Sequence, residues 1–127
     1  MKKFIALALC LSSLTGCKPG SEKAIELAKN EITADMKDPD SAKFRYLRFI
    51  KAGEKDGEIG GFICGNVNAK NSYGAYAGFS PFFVTLRMRS KGYFSKGVTY
   101  KVDDKKIYSH ATNSDLKAYQ DVCGPDQ

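Results

Sequence analysis

The chain has 127 residues, 43% of them hydrophobic and 27% charged, with a formal net charge of +6. That length fits one compact domain and excludes two. Lysines and acids are mixed along the chain, so the excess reads as a solvated surface, and no basic cluster forms a helix able to read nucleic acid.

The first residues follow the layout of a secretory signal: Lys2 and Lys3, an apolar run from Phe4 to Leu14, then small residues leading into Cys17. Spanning a bilayer takes roughly 20 apolar residues, so this run is too short to be a membrane helix and reads as a segment that is removed. It resembles the bacterial lipoprotein signal peptide, with Leu14-Thr15-Gly16-Cys17 as the lipobox. The resemblance implies cleavage after Gly16, lipid on Cys17, a short tether over residues 17–20 and a single domain over 21–127. Loss of Lys2 and Lys3 leaves 18 basic against 14 acidic residues, a charge of +4. Lys18 after the acylated cysteine resembles the pattern sent to the outer membrane, so the expected location is its periplasmic face, with the inner membrane as the alternative. Export also separates the chain from nucleic acid.

From Ser21 to Lys37, Ile25, Ala28, Ile32 and Met36 recur at helical spacing, with Ala24 and Leu27 beside them. Ser21 suits the N-cap, Glu22 the first turn, and Asp38-Pro39 the stop. This amphipathic helix is expected to pack on the domain's own sheet rather than on a membrane. Beyond it the period changes to two. Strands are expected over 44–51 and 58–67, joined by a turn over 52–57. In 82–89, Phe82, Val84, Leu86 and Met88 alternate with Phe83, Thr85, Arg87 and Arg89, and the first set should cover the core. A strand over 97–102 carries Val98, Tyr100 and Val102 inward, Asp103-Asp104 turns it, and a last strand covers 106–110. Asn113 or Ser114 caps a C-terminal helix with Leu116, Tyr119 and Val122 on one side, ending at Gly124 before a frayed tail. Helix, four to five antiparallel strands and helix imply an α+β fold of two layers.

Of four cysteines, Cys10 lies in the run expected to be removed and Cys17 would, as the resemblance implies, take the lipid, which leaves Cys64 and Cys123 as an even pair in an expected oxidising compartment. They are expected to be bonded, clamping the last helix to a middle strand. Two thiols and the lone His110 make no four-coordinate zinc cage, so no metal or other cofactor is expected. A hydrolase would have to rest on His110, because a Ser or Cys nucleophile needs a base within hydrogen-bond reach. No phosphate loop is present and the Asp103-Asp104 pair has a turn to explain it, so no catalytic residue is assigned.

The densest unusual run is 64–83, where Asn66, Asn68 and Asn71 stand with Lys70 among Tyr73, Tyr76, Phe79, Phe82 and Phe83 and several Gly and Pro residues. Amides beside flat rings suit a binding surface, formed here by Asn66, Asn68, Lys70, Asn71, Tyr73 and Tyr76. The competing reading makes the asparagines and glycines a long turn and the aromatics core residues. This run and Asp38-Pro39-Asp40-Ser41-Ala42-Lys43-Phe44-Arg45 together resemble the motifs of small exported or phage-related bacterial proteins, Asp-Pro-x-Ser-Ala-x-Phe and Cys-Gly-x-Val-Asn-x-Lys-Asn. Ala75 stands where that pattern has a second glycine. Within the first motif, Ser41 or Asp40 is expected to cap backbone amides and Phe44 to enter the core. The resemblance implies no activity. The expected function is that of a lipid-anchored, non-enzymatic binding protein, its partner an envelope protein, a phage or toxin component, or the cell-wall polymer. The alternatives are a structural accessory of envelope assembly and a small hydrolase.

Overall fold

A computed structural model describes residues 20–92 and 97–127. The segments expected to be signal peptide, lipobox and tether, up to residue 19, lie outside the described residues. The chain runs α1 (Ser21–Ala34), a 3-10 turn (Pro39–Ser41), β1 (Lys43–Lys55), β2 (Glu58–Asn68), β3 (Ser80–Ser90), β4 (Val98–Ile107) and α2 (Asn113–Cys123). The four strands form one antiparallel sheet in chain order, giving an α+β domain.

Asp56 and Gly57 both take positive φ (53° and 79°), the two-residue geometry that matches strand twist, so the β1–β2 turn is tighter than 52–57 and β1 runs on to Lys55. Asp103-Asp104 is not a turn. Thr85 pairs with Asp104 and Leu86 with Val102, leaving Asp103 as a bulge inside one long β4. Arg87 on the neighbouring strand grips the bulged carboxylate through Nε and Nη2, each at 2.8 Å, so the chain continues instead of reversing. The strand expected over 106–110 therefore merges into β4, which ends at Ile107.

Side chains alternate across the sheet, so β3 sends Phe82, Val84, Leu86 and Met88 to one face, as its pattern requires. There they meet Ile59, Ile63 and Val67 of β2 and the α1 stripe Ala24, Leu27, Ala28 and Ile32, while Ile25 and Met36 sit at its margin. Gly20, not Ser21, is the N-cap, because Ser21 already belongs to the helix; α1 closes at Ala34, three residues before Lys37. Tyr100 faces this layer yet remains 41% exposed, since β4 is an edge strand that α1 covers only in part; its hydroxyl donates to Glu31 at 2.7 Å. Phe49 of β1 lies over Gly61, where a Cβ would come within 2.6 Å of the ring.

The opposite face is also covered, so the domain has three layers and not two. Cys64 and Phe83 are register partners pointing away from α1, and α2 packs on them. Its contact is made by Tyr119 and Cys123, one turn apart, whereas Leu116 and Val122 are each 38% exposed. Thr112, one residue before Asn113, is the N-cap: its hydroxyl accepts from the Asp115 amide and the Asp115 carboxylate accepts from the Thr112 amide, a reciprocal capping box. Cys64 and Cys123 are bonded.

In the chain-entropy picture a bond between residues 59 apart stabilises by about 4 kcal/mol. The double substitution Cys64→Ala/Cys123→Ala should lower the unfolding free energy by about that amount in a urea titration. Equal midpoints for variant and parent would show that the crosslink contributes nothing.

Candidate functional site

The run from Asn66 to Phe79 leaves the sheet at the end of β2 and returns at β3. Lys70 and Tyr76 form a single antiparallel bridge, and between them the chain reverses around Asn71. The Asn71 amide donates to the Ala75 carbonyl (2.9 Å) and the Gly74 amide to the Asn71 carbonyl (3.0 Å). Asn71 Oδ1 accepts from the amides of Tyr73 (2.9 Å) and Ala75 (3.2 Å), and Asn68 Oδ1 accepts from Gly78 (3.2 Å). These side-chain oxygens replace the ladder partners that the loop backbone lacks. Gly74 takes φ +77°, a region that a side chain disfavours. Ala75 is not among the residues of positive φ, so the turn closes without a second glycine there.

The 3-10 turn holds the loop from beneath. Ser41 Oγ donates to the Asp38 carbonyl (2.7 Å) and accepts from the Lys70 amide (2.8 Å), while the Tyr76 hydroxyl donates to the Ser41 carbonyl (2.8 Å). Ser41, and not Asp40, is thus the capping residue. The Asp-Pro-x-Ser-Ala-x-Phe step and the asparagine loop are one unit in space, although about 30 residues part them. Phe44 is half-buried and meets the Phe82 ring edge-on, centroids 5.8 Å apart.

The aromatic residues divide. Phe82 is fully buried, Phe83 lies under α2, and Phe79 is half-buried. Tyr73 is 94% exposed at the loop tip and Tyr76 38% exposed, so neither is a core residue. Lys43 and Lys70 place their ammonium groups 4.7 and 5.8 Å from the Tyr76 ring centroid, and the Arg45 guanidinium stands 4.0 Å from that of Phe79. Nothing in the sequence marks Lys43 and Arg45 as site residues beyond their place in the first motif; their alternate positions on β1, opposite Asn68 and Asn66, put both on the α2 side of the sheet.

Asn66 stands apart from Asn68, Lys70, Asn71, Tyr73 and Tyr76. It is buried, and its Nδ2 donates to the Asp126 carboxylate at 3.1 Å. The tail beyond Gly124 is therefore held, not frayed. The cause is a bulge in β1: Tyr46, at φ +56°, and Leu47 together face Gly65, which turns Arg48 onto the α2 side. Arg48 Nε and Nη2 donate to the Cys123 carbonyl (3.1 and 3.0 Å), Nη2 to Gly124 (3.2 Å), and Nη1 pairs with Asp126 (3.4 Å). A cation on the last carbonyls of a helix is favoured by the helix dipole. The Tyr119 hydroxyl donates to Asp126 at 2.8 Å and accepts from Arg48 at 3.3 Å. Burial, reinforced by that carboxylate, pushes the Tyr119 phenol up to about 12.

Beside the loop, Asn66, Phe79, Tyr108, His110, Leu116 and Asp126 border an open cleft of about 540 Å³. His110 is exposed, at φ +57° in the turn before α2, and among the described residues its ring makes no hydrogen bond to a serine or carboxylate. No group of three or more His, Cys, Asp or Glu among the described residues is placed to hold a metal, and no described helix is long and apolar enough to cross a membrane. No protein-family model, curated protein or solved structure matches the chain.

A phenol whose folded value lies above the usual 10 contributes stability that is complete below pH 10 and lost as pH rises to about 12. Denaturant midpoints should thus decline over that range. In Tyr119→Phe the decline should be shallower, though the variant starts lower at neutral pH for want of the Asp126 bond. An equal alkaline decline in both proteins would exclude Tyr119 as its source.

Proposed function

We propose that this chain is a lipid-anchored, non-enzymatic binding protein of the bacterial envelope, tethered through Cys17 on the periplasmic side of the outer membrane. In this reading α1 is the amphipathic helix that joins the tether to the sheet, and the loop carrying Lys70, Tyr73 and Tyr76 is the contact surface. The observation that carries the reading is the division of labour in the loop. Asn68 and Asn71 commit their oxygens to the loop's own amides, while Tyr73, which supports nothing beneath it, is 94% exposed. A loop so braced presents its aromatic tip with little ordering left to lose on contact.

Two measurements test this. Mass spectrometry of the protein extracted from membranes should find residue 17 at the N-terminus and acylated, and Cys17→Ser should abolish both the modification and the membrane association. A photoreactive aromatic replacing Tyr73 should form a discrete adduct in cells, whereas the same group at Lys117, on the outer side of α2, should form none. An intact, unacylated N-terminus, or equal adducts from both positions, overturns the reading.

A further inference from the structure

Three cations stand at this loop without an anion to match them. Among the described residues Lys43, Arg45 and Lys70 form no ion pair, and Asp38 and Asp40, at the start of and within the adjoining 3-10 turn, form none either. Elsewhere among the described residues Arg48, Arg87 and Lys105 are each matched to carboxylates, and Lys29 and Lys106, which form no ion pair, each stand alone over one ring; only the loop brings two ammonium groups onto the same ring. The rings of Tyr76 and Phe79 fix where the unmatched cations sit without neutralising them, and two ammonium groups converge on the single Tyr76 ring. Such convergence of like charge is relieved by an anionic partner. Around the cations the loop offers Tyr73 and Tyr76, exposed by 94% and 38% and set among small residues, Gly74, Ala75, Ala77 and Gly78, while Tyr46 at the β1 bulge, 41% exposed, stands beside Arg45. Rings with a polar tip beside long basic side chains are the chemistry that settles at the headgroup level of a bilayer.

We infer that Lys43, Arg45 and Lys70, with Tyr73 at the tip, dock the domain onto a bilayer surface of anionic phospholipid. This rests on the lipid-anchored reading of the chain, since a tether keeps the platform within reach of such a surface and makes weak contacts sufficient. Small residues around Tyr73 leave no ridge to hold the rings away from a flat surface. Docking of this kind orients the domain on the membrane instead of leaving it to swing on its tether.

The chain contains no tryptophan, so Tyr73→Trp introduces a single reporter. The processed, acylated variant is reconstituted into vesicles of phosphatidylcholine alone or of phosphatidylcholine with phosphatidylglycerol, with and without brominated lipid. Blue-shifted emission quenched by brominated lipid is expected only in the anionic vesicles and should fade at high salt. Each of Lys43→Gln, Arg45→Gln and Lys70→Gln should reduce the docked-to-undocked ratio about fivefold, with the urea midpoint reporting that the fold is kept. A protein that floats with both vesicle types while the introduced indole emits as in water overturns the docking and leaves the anchor standing. One that floats with neither overturns the anchored reading itself. A blue shift with polyglutamate but not with anionic vesicles overturns the lipid assignment in favour of an acidic protein partner.

Discussion

Helix α2 has too little apolar surface to stay on the sheet unaided. It is 11 residues long, shorter than an isolated helix needs to persist in water, and it buries only Tyr119 and Cys123. The Cys64–Cys123 bond holds it in place, and Arg48 completes the attachment by reaching the carbonyls at its C-terminal end. The C-terminal tail depends on that junction: Asp126 is near enough to take up Tyr119, Asn66 and Arg48 only because α2 ends where it does. The α2 side of the sheet is thus fastened by a covalent bond and charge-assisted hydrogen bonds, whereas the α1 side is fastened by apolar burial.

The same side carries the loop platform. Its backbone has no ladder partners apart from the Lys70–Tyr76 bridge, and an unpaired amide costs more than a made hydrogen bond gains. Asn68, Asn71 and Ser41 supply the missing acceptors, which gives the amide and hydroxyl side chains of this stretch a role in the loop itself. The groups left over are rings and cations, and they define what the surface can attract.

Several elements are legible in the sequence because they depend on neighbours in the chain. The alternation from Phe82 to Met88, a reversal between the first two strands within 52–57 and the pairing of Cys64 with Cys123 are each anticipated by strand period, turn composition and cysteine count. The departures have a common origin. Asp103-Asp104 resembles a turn until Arg87 on the next strand claims the carboxylate, and Asn113 resembles a cap until Thr112 and Asp115 close their box. Tyr46 carries no mark of a bulge residue, being neither Gly nor Asn, yet its positive φ decides which face Arg48 occupies.

Local order along the chain determined the α+β class, the antiparallel sheet, the face of β3 that is buried, and the presence of an asparagine-rich loop with exposed aromatic candidates. Tertiary structure alone decided that the helices lie on opposite faces, that Asn66 is buried against Asp126, and that Lys43 and Arg45 join Lys70 around the loop rings. The physical reason is the range of the forces: periodicity and turn preference act over a few residues, whereas register, bulges and hydrogen-bond partners are set by groups some 30 to 75 residues away.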